Sequence, residues 1–288
     1  MTRIGSLSTL VLKTQATNKY LEARLSTCMD CLGKVVQDGV EILKSQCLSL
    51  ILYTHYAREL TFQNFCVVFC QMPLLSGKLV SLAINAVAHT RRHTQLLAAA
   101  GKRVIEIAKR HDEGLDVQAV SVIVNGFARA GLRDVALFRH MSAVALRLIE
   151  TKRSDFGAQA ISVIANAFVK VHITDEMLFT RLAYACEHVA FSDFTPQAIA
   201  NIMNAYARHD NLDNKALFAF LSKVSRQSVP SQWESRHLAL VVNALAKVDY
   251  KDDGLLKWIA EAALARPTSS FDVQGKYSRK YSIYVPLA

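Results

Sequence analysis

Several signatures are missing from this chain, and each absence removes a class of function. No run of about 18 apolar residues passes without a charge or a turn signal, so no transmembrane helix is expected. There is no phosphate-binding GxxxxGKS/T loop, no GxGxxG after a strand, no HExxH pair and no GxSxG elbow. The nine histidines are scattered. "HDEG" at 111–114 and "KDDG" at 251–254 put acids in turns between helices, where caps and turn formers belong. The expectation is a non-enzymatic protein with no cofactor, no metal and no small-molecule substrate. Strand signals are nearly absent, as is any obvious linker within the array described below.

Acids are missing from the first 21 residues, "MTRIGSLSTLVLKTQATNKYL", which hold Arg3, Lys13, Lys19 and several Ser and Thr. That is the composition of an organellar transit segment. A mitochondrial (matrix) location is expected, with a plastid as the alternative. Cysteine is sparse beyond the first quarter, which holds Cys28, Cys31, Cys47, Cys66 and Cys70; only Cys186 lies elsewhere. They sit in helix-like text and read as reduced. "CMDC" at 28–31 with Cys66 and Cys70 has a loose spacing for zinc, and i, i+3 and i, i+4 cysteines equally share a buried helix face.

What the chain does contain is apolar material and positive charge. Hydrophobic residues make up 51% of 288, ample for a core. Lys and Arg number 34 against 24 Asp and Glu, a formal net charge of +10 that favours polyanionic partners.

A phrase recurs: "QAVSVIVNGFAR" at 118–129, "QAISVIANAFVK" at 159–170 and "QAIANIMNAYAR" at 197–208. Taking the Asn of each copy as an anchor gives Asn85, Asn125, Asn166, Asn204 and Asn243, separated by 40, 41, 38 and 39 residues. A small residue follows each anchor (Ala86, Gly126, Ala167, Ala205, Ala244), and a larger apolar residue follows that (Val87, Phe127, Phe168, Tyr206, Leu245). An apolar pair comes twelve to fourteen residues after the anchor, "LF" at 137–138, 178–179 and 217–218 and "LL" at 255–256; Leu96-Leu97 sits one residue earlier. Phe156, Phe194 with Pro196, and Pro230 with Trp233 mark the boundaries.

Each unit reads as two helices and a short turn. In the 159 copy, helix A is expected over about 158–171. "HITD" at 172–175 makes the turn, Thr174 or Asp175 caps, and helix B runs over about 176–190. One helix pair cannot bury both its faces, so the units must stack. The fold class is all-α: a right-handed alpha solenoid of about 6–7 helix-turn-helix repeats with a period of 38–41 residues. Residues 1–40 are expected to cap it, 41–77 to form an irregular repeat (Thr54 in the Asn position, Arg58 in that of the base), 78–266 to form the regular array and 267–288 an extended basic and aromatic tail.

Counting from the anchor, position −7 is Gln118, Gln159 and Gln197, with Lys78 and Arg236 in the outer copies. Position −4 is Ser81, Ser121, Ser162, Ala200 and Ala239. Position +4 is His89, Arg129, Lys170, Arg208 and Lys247. Residues three or four apart share a helix face, so these positions are expected to form one polar stripe with the Asn. Stacked stripes would make a groove of amides edged by cations. Cations meet phosphates, and amides donate and accept together, which suits exposed base edges. Two other readings stand beside it: Asn and Gln bonding the neighbouring unit's backbone, and the cations favouring the helix dipole. Further basic regions add His89, Arg91, Arg92, His93, Lys102, Arg103, Lys109 and Arg110, and, in the tail, Lys276, Arg279 and Lys280 among Tyr277, Tyr281 and Tyr284.

A helix pair every 38–41 residues with "NAFVK" and "NAYAR" text and a following "LF" resembles the octotricopeptide and heptatricopeptide repeat families, and is similar to the helical region of FAST-kinase-like proteins with RAP domains. The resemblance covers about 78–266. It implies an organellar alpha solenoid that binds RNA for processing, stability or ribosome assembly. No RAP module is visible, and the array is short for a stand-alone binder. Both departures point to a component that holds RNA, most simply rRNA, among neighbouring proteins of a large complex such as a mitochondrial ribosome. The alternative is a protein-protein scaffold in a respiratory complex or ATP synthase, for which the groove should be apolar or salt-bridged.

Overall fold

The periodic apolar text becomes ten α-helices and no strand among the described residues. The computed structural model describes residues 77–88, 94–110, 114–209 and 215–266, all in one compact unit. The expected N-terminal cap, transit-like stretch and irregular repeat, the cysteines before Cys186 and the C-terminal tail lie outside the described residues.

The helices alternate between two layers. The A layer is α1 (Gly77–Val87), α3 (Val117–Ala130), α5 (Ala158–Lys170), α7 (Pro196–Ala207) and α9 (Ser235–Lys247). The B layer is α2 (Thr94–Lys109), α4 (Val135–Thr151), α6 (Glu176–Cys186), α8 (Lys215–Gln227) and α10 (Asp253–Leu264). Each A helix packs on the next A helix and on its own B helix, and α2, α4 and α6, like α8 and α10, adjoin in the second layer. This is an alpha solenoid, with five helix pairs among the described residues.

The closest contacts run along the A layer, and the small residue after each anchor is the cause. Ala167, Ala205 and Ala244 are buried there. A Cβ on Gly126 would stand 2.5 Å from Ile84 Cγ2, so α3 meets α1 at a distance only glycine allows. The large residue after each small one fills the seam to the preceding B helix. Phe168 meets Phe138 edge-on at 4.9 Å, and Tyr206 meets Phe179 at 5.1 Å. Tyr206 Oη also donates to the Phe179 carbonyl at 2.7 Å.

The three A-to-B turns that are fully described repeat one motif. A helices α3, α5 and α9 end in a left-handed residue, Gly131 (φ 75°), His172 (φ 55°) or Asp249 (φ 49°). The next amide reaches back to the carbonyl of the large residue: Leu132 to Phe127, Ile173 to Phe168, Tyr250 to Leu245, each at 3.0 Å. Asp134, Asp175 and Asp252 then cap the B helices by accepting from the amides of Leu137, Leu178 and Leu255. Asp175, rather than Thr174, caps α6. That helix stops at Cys186, shorter than the sequence reading to 190: the amides of His188 and Val189 bond only three residues back, to Ala185 and Cys186, and a 3-10 turn follows at Phe191–Asp193. Similar turns occupy Arg153–Asp155 and Pro230–Gln232. After each comes a buried aromatic (Phe156, Phe194, Trp233) just ahead of the next A helix, with Leu115 in the same place before α3.

Candidate nucleic-acid interface

On α3, α5 and α7, neighbouring A helices cover two sides and the B partner covers a third, which leaves one open stripe; α1 and α9 each have one described A-layer neighbour. On α5 the open residues include Gln159, Val163, Asn166 and Lys170. On α3 they include Gln118, Val122, Asn125 and Arg129, and on α7 Gln197, Asn201, Asn204 and Arg208. Lys78, Leu82 and Asn85 of α1 and Arg236, Leu240, Asn243 and Lys247 of α9 continue the pattern. The structure thus brings together the expected −7, anchor and +4 positions.

The −4 position is a correction. Ser81, Ser121 and Ser162 are 4%, 8% and 2% exposed and Ala200 is buried too, whereas Ala239 of α9 is half-buried like its neighbour Leu240. Each Ser hydroxyl donates at 2.8 Å to a carbonyl of its own helix, Lys78, Val117 and Gln159 respectively. The open stripe carries position −3 instead: Leu82, Val122, Val163, Asn201 and Leu240, all half-buried. Both −4 and −3 lie about one turn from the anchor. Which of them is covered depends on where the neighbouring helices sit, and Ser is small enough to be the covered one.

Among the described residues, the side chains of Asn85, Asn125, Asn166, Asn204 and Asn243 make no hydrogen bond. Neither do those of Gln118, Gln159 and Gln197, all exposed. The amides are therefore not tied to a neighbouring unit's backbone. Lys170, Arg208 and Lys247 are exposed and have no acid within ion-pair distance. Arg129 is half-buried and partnered. Arg236 pairs at 2.8 Å with Glu234, the N-cap of α9.

Charge is segregated by layer. None of the five A helices contains an Asp or Glu. Four of the five B helices do: Glu106, Glu150, Glu176, and Asp253 with Glu261. The +4 cations Arg129, Lys170 and Lys247 stand in the last turns of their helices, where they also favour the helix dipole. Counting acids helix by helix reveals this separation from the sequence alone, whereas the overall charge balance conceals it.

The second basic cluster belongs to the other layer. Lys102, Lys109 and Arg110 are exposed on and just after α2, a B helix. Arg103 is buried, its guanidinium 2.9 Å from Glu106. His89, Arg91, Arg92, His93, Lys276, Arg279 and Lys280 lie outside the described residues. No cluster of His, Cys, Asp and Glu suited to a metal occurs among the described residues. No helix among them is long and apolar enough to cross a membrane.

No curated protein matches the chain. The family model described as RNA-editing substrate-binding complex 6 protein matches residues 62–284, which takes in all ten helices. The chain belongs to the RNA-editing substrate-binding complex 6 protein family.

Proposed function

We propose that this protein is a non-catalytic RNA-binding solenoid that holds RNA on the open face of its A layer within an RNA-editing substrate-binding complex. The single observation that carries this reading is the acid-free A layer, with unbonded Asn and Gln amides and the unpaired cations Lys170, Arg208 and Lys247 along it. Those cations take phosphates, and the amides take base edges. The family description names a substrate-binding assembly for RNA editing, which supports RNA and neighbouring proteins as partners. It also favours that assembly over the mitochondrial ribosome and its rRNA, for which only the resemblance in the sequence speaks. The period of 38–41 residues supports an architecture of the octotricopeptide or heptatricopeptide kind. The acid-free composition of residues 1–21 supports a mitochondrial matrix location, a plastid being the alternative.

The competing scaffold reading requires an apolar or salt-bridged groove, and the free cations weigh against it. The test is binding of the whole chain to organellar RNA across a salt series, beside the variant K170Q/R208Q/K247Q. If each cation neutralises one phosphate, the variant's log–log slope flattens by about 2, at roughly 0.7 per single-strand phosphate. Equal slopes and equal affinities remove the RNA from this face.

A further inference from the structure

A surface that only tracks phosphates needs cations and has no use for aliphatic side chains. Yet the open stripe carries one on four of its five helices: Leu82, Val122, Val163 and Leu240, each three residues before the anchor Asn and half-buried on an otherwise polar face. Along those four helices the order is therefore Gln or a cation, an aliphatic, an Asn and, where +4 is described, a cation. An aliphatic flank beside a free amide matches the two surfaces of a nucleobase. The apolar group covers its face, and the amide answers the donor and acceptor on its edge.

The spacing of the helices decides the form of the nucleic acid. Packed helices stand about 8–10 Å apart, whereas stacked bases advance about 3.4 Å per step. Successive helices cannot meet successive bases of a stacked strand, and in a duplex the base faces are already occupied. Bases splayed from one another suit this ladder.

Resting on the RNA-binding reading above, we infer that each A helix seats one unstacked base of a single strand, its face on the −3 aliphatic side chain and its edge on the anchor Asn. On α5, α7 and α9 the exposed cation one turn on (Lys170, Arg208, Lys247) receives the adjoining phosphate. Helix α7 departs from the pattern because Asn201 takes the aliphatic place, so its seat has two amides and no apolar flank.

The departure makes the inference testable in both directions. The substitutions lie on a half-open face, and equal thermal unfolding would confirm that each variant is folded. Binding of the full chain to a single-stranded RNA pool and to a duplex of matched length is measured for the natural protein, V122T/V163T, N201V and K170Q/R208Q/K247Q. The V122T/V163T change keeps shape and replaces two methyl groups with hydroxyls. It is expected to weaken single-strand binding by about fifteen-fold, some four-fold per methyl withdrawn from a base, with the salt slope unchanged. N201V is expected to tighten it several-fold, and the duplex is expected to bind weakly and to be indifferent to both. If the cation variant flattens the slope while V122T/V163T and N201V bind like the natural protein, or if duplex binds as well as single strand, RNA lies on this face without base seats and the inference falls alone. If the natural protein binds neither RNA, or the cation variant leaves its slope unchanged, the RNA-binding reading falls with it.

Discussion

Ser142 donates its hydroxyl to Asp175 Oδ2 at 2.6 Å, across the seam between α4 and α6. The other oxygen, Asp175 Oδ1, caps α6 by accepting from the Leu178 amide at 3.0 Å. Ser222 and Asp252 repeat the arrangement between α8 and α10, at 2.5 Å across the seam and 2.9 Å to the Leu255 amide. One carboxylate thus begins its own helix and ties it to the helix of the preceding unit. In the earlier copy the serine position is Gly101, whose added Cβ would press on the Phe127 ring at 2.9 Å. Ser142→Ala is expected to cost about 1 kcal/mol and Asp175→Ala about 2, since only the second also loses the cap. A double-mutant cycle read by chemical denaturation should return a coupling near the cost of the Ser substitution.

Acid should loosen the second of these seams. Burial disfavours the Asp252 charge, but the Ser222 hydroxyl, the Leu255 and Gly254 amides and the Arg226 guanidinium outweigh it and hold the carboxyl below its ordinary value. Its stabilisation is complete above the unfolded value of about 3.9 and is lost as pH falls through the lower folded value. Ser222→Ala removes one of these supports. The folded value then moves closer to the unfolded one, so the variant's acid-induced loss of stability is expected to be smaller than that of the natural protein and complete at a higher pH, measured as Tm from pH 5 down to pH 2.5.

His237 sets a different pH limit. Its Nδ1 accepts from the Glu234 amide at 3.2 Å, closing the reciprocal cap of α9. Only the neutral ring accepts in this way. Burial lowers its pKa, with Arg236 acting in the same direction against the Glu234 charge. A lowered folded value means the stabilisation is complete above the unfolded value of about 6.5 and is lost as pH falls below it. His237→Gln preserves an acceptor of the usual kind for this position and does not titrate. It should flatten the pH dependence of Tm between pH 7 and pH 5.

Two glycines divide by mechanism. Gly131 has open space around its Cβ position, so Gly131→Ala adds no clash and only the strain of φ 75°. About 1 kcal/mol is expected, or a few degrees in Tm. Gly126→Ala drives a methyl into Ile84 Cγ2 and should cost roughly 1–3 kcal/mol through overpacking. Ile84→Leu, which lacks the β-branch, is expected to relieve Gly126→Ala and to do nothing for Gly131→Ala.

The Asn ladder separates stability from binding. Because these amides make no hydrogen bond within the described protein, Asn125→Ala, Asn166→Ala and Asn204→Ala should each leave stability within about 0.5 kcal/mol. An amide tying one unit to the next would cost about 1–3 kcal/mol on removal. The same variants are expected to weaken RNA binding, and a combined variant that loses stability but keeps its affinity would reverse the assignment.

Period, helix pairing, turn positions and the capping role of the acids were all legible in the residues, because each is dictated by chain neighbours. An Asn every 38–41 residues marks the unit, Asp at the B-helix start accepts its own amides, and a small residue after the anchor admits the next helix. The fold class followed from repetition, since a unit with an apolar face on both sides can only stack. What tertiary structure alone decided was which side of each A helix stays open. Ser162 and Val163 are one residue apart and both face roughly the anchor's side, yet the serine is covered and the valine is half-open. Polarity alone predicts the reverse. The serine satisfies its hydroxyl on its own backbone and fits beneath a neighbouring helix, and the position of that neighbour is set by packing across the seam, which no local pattern records.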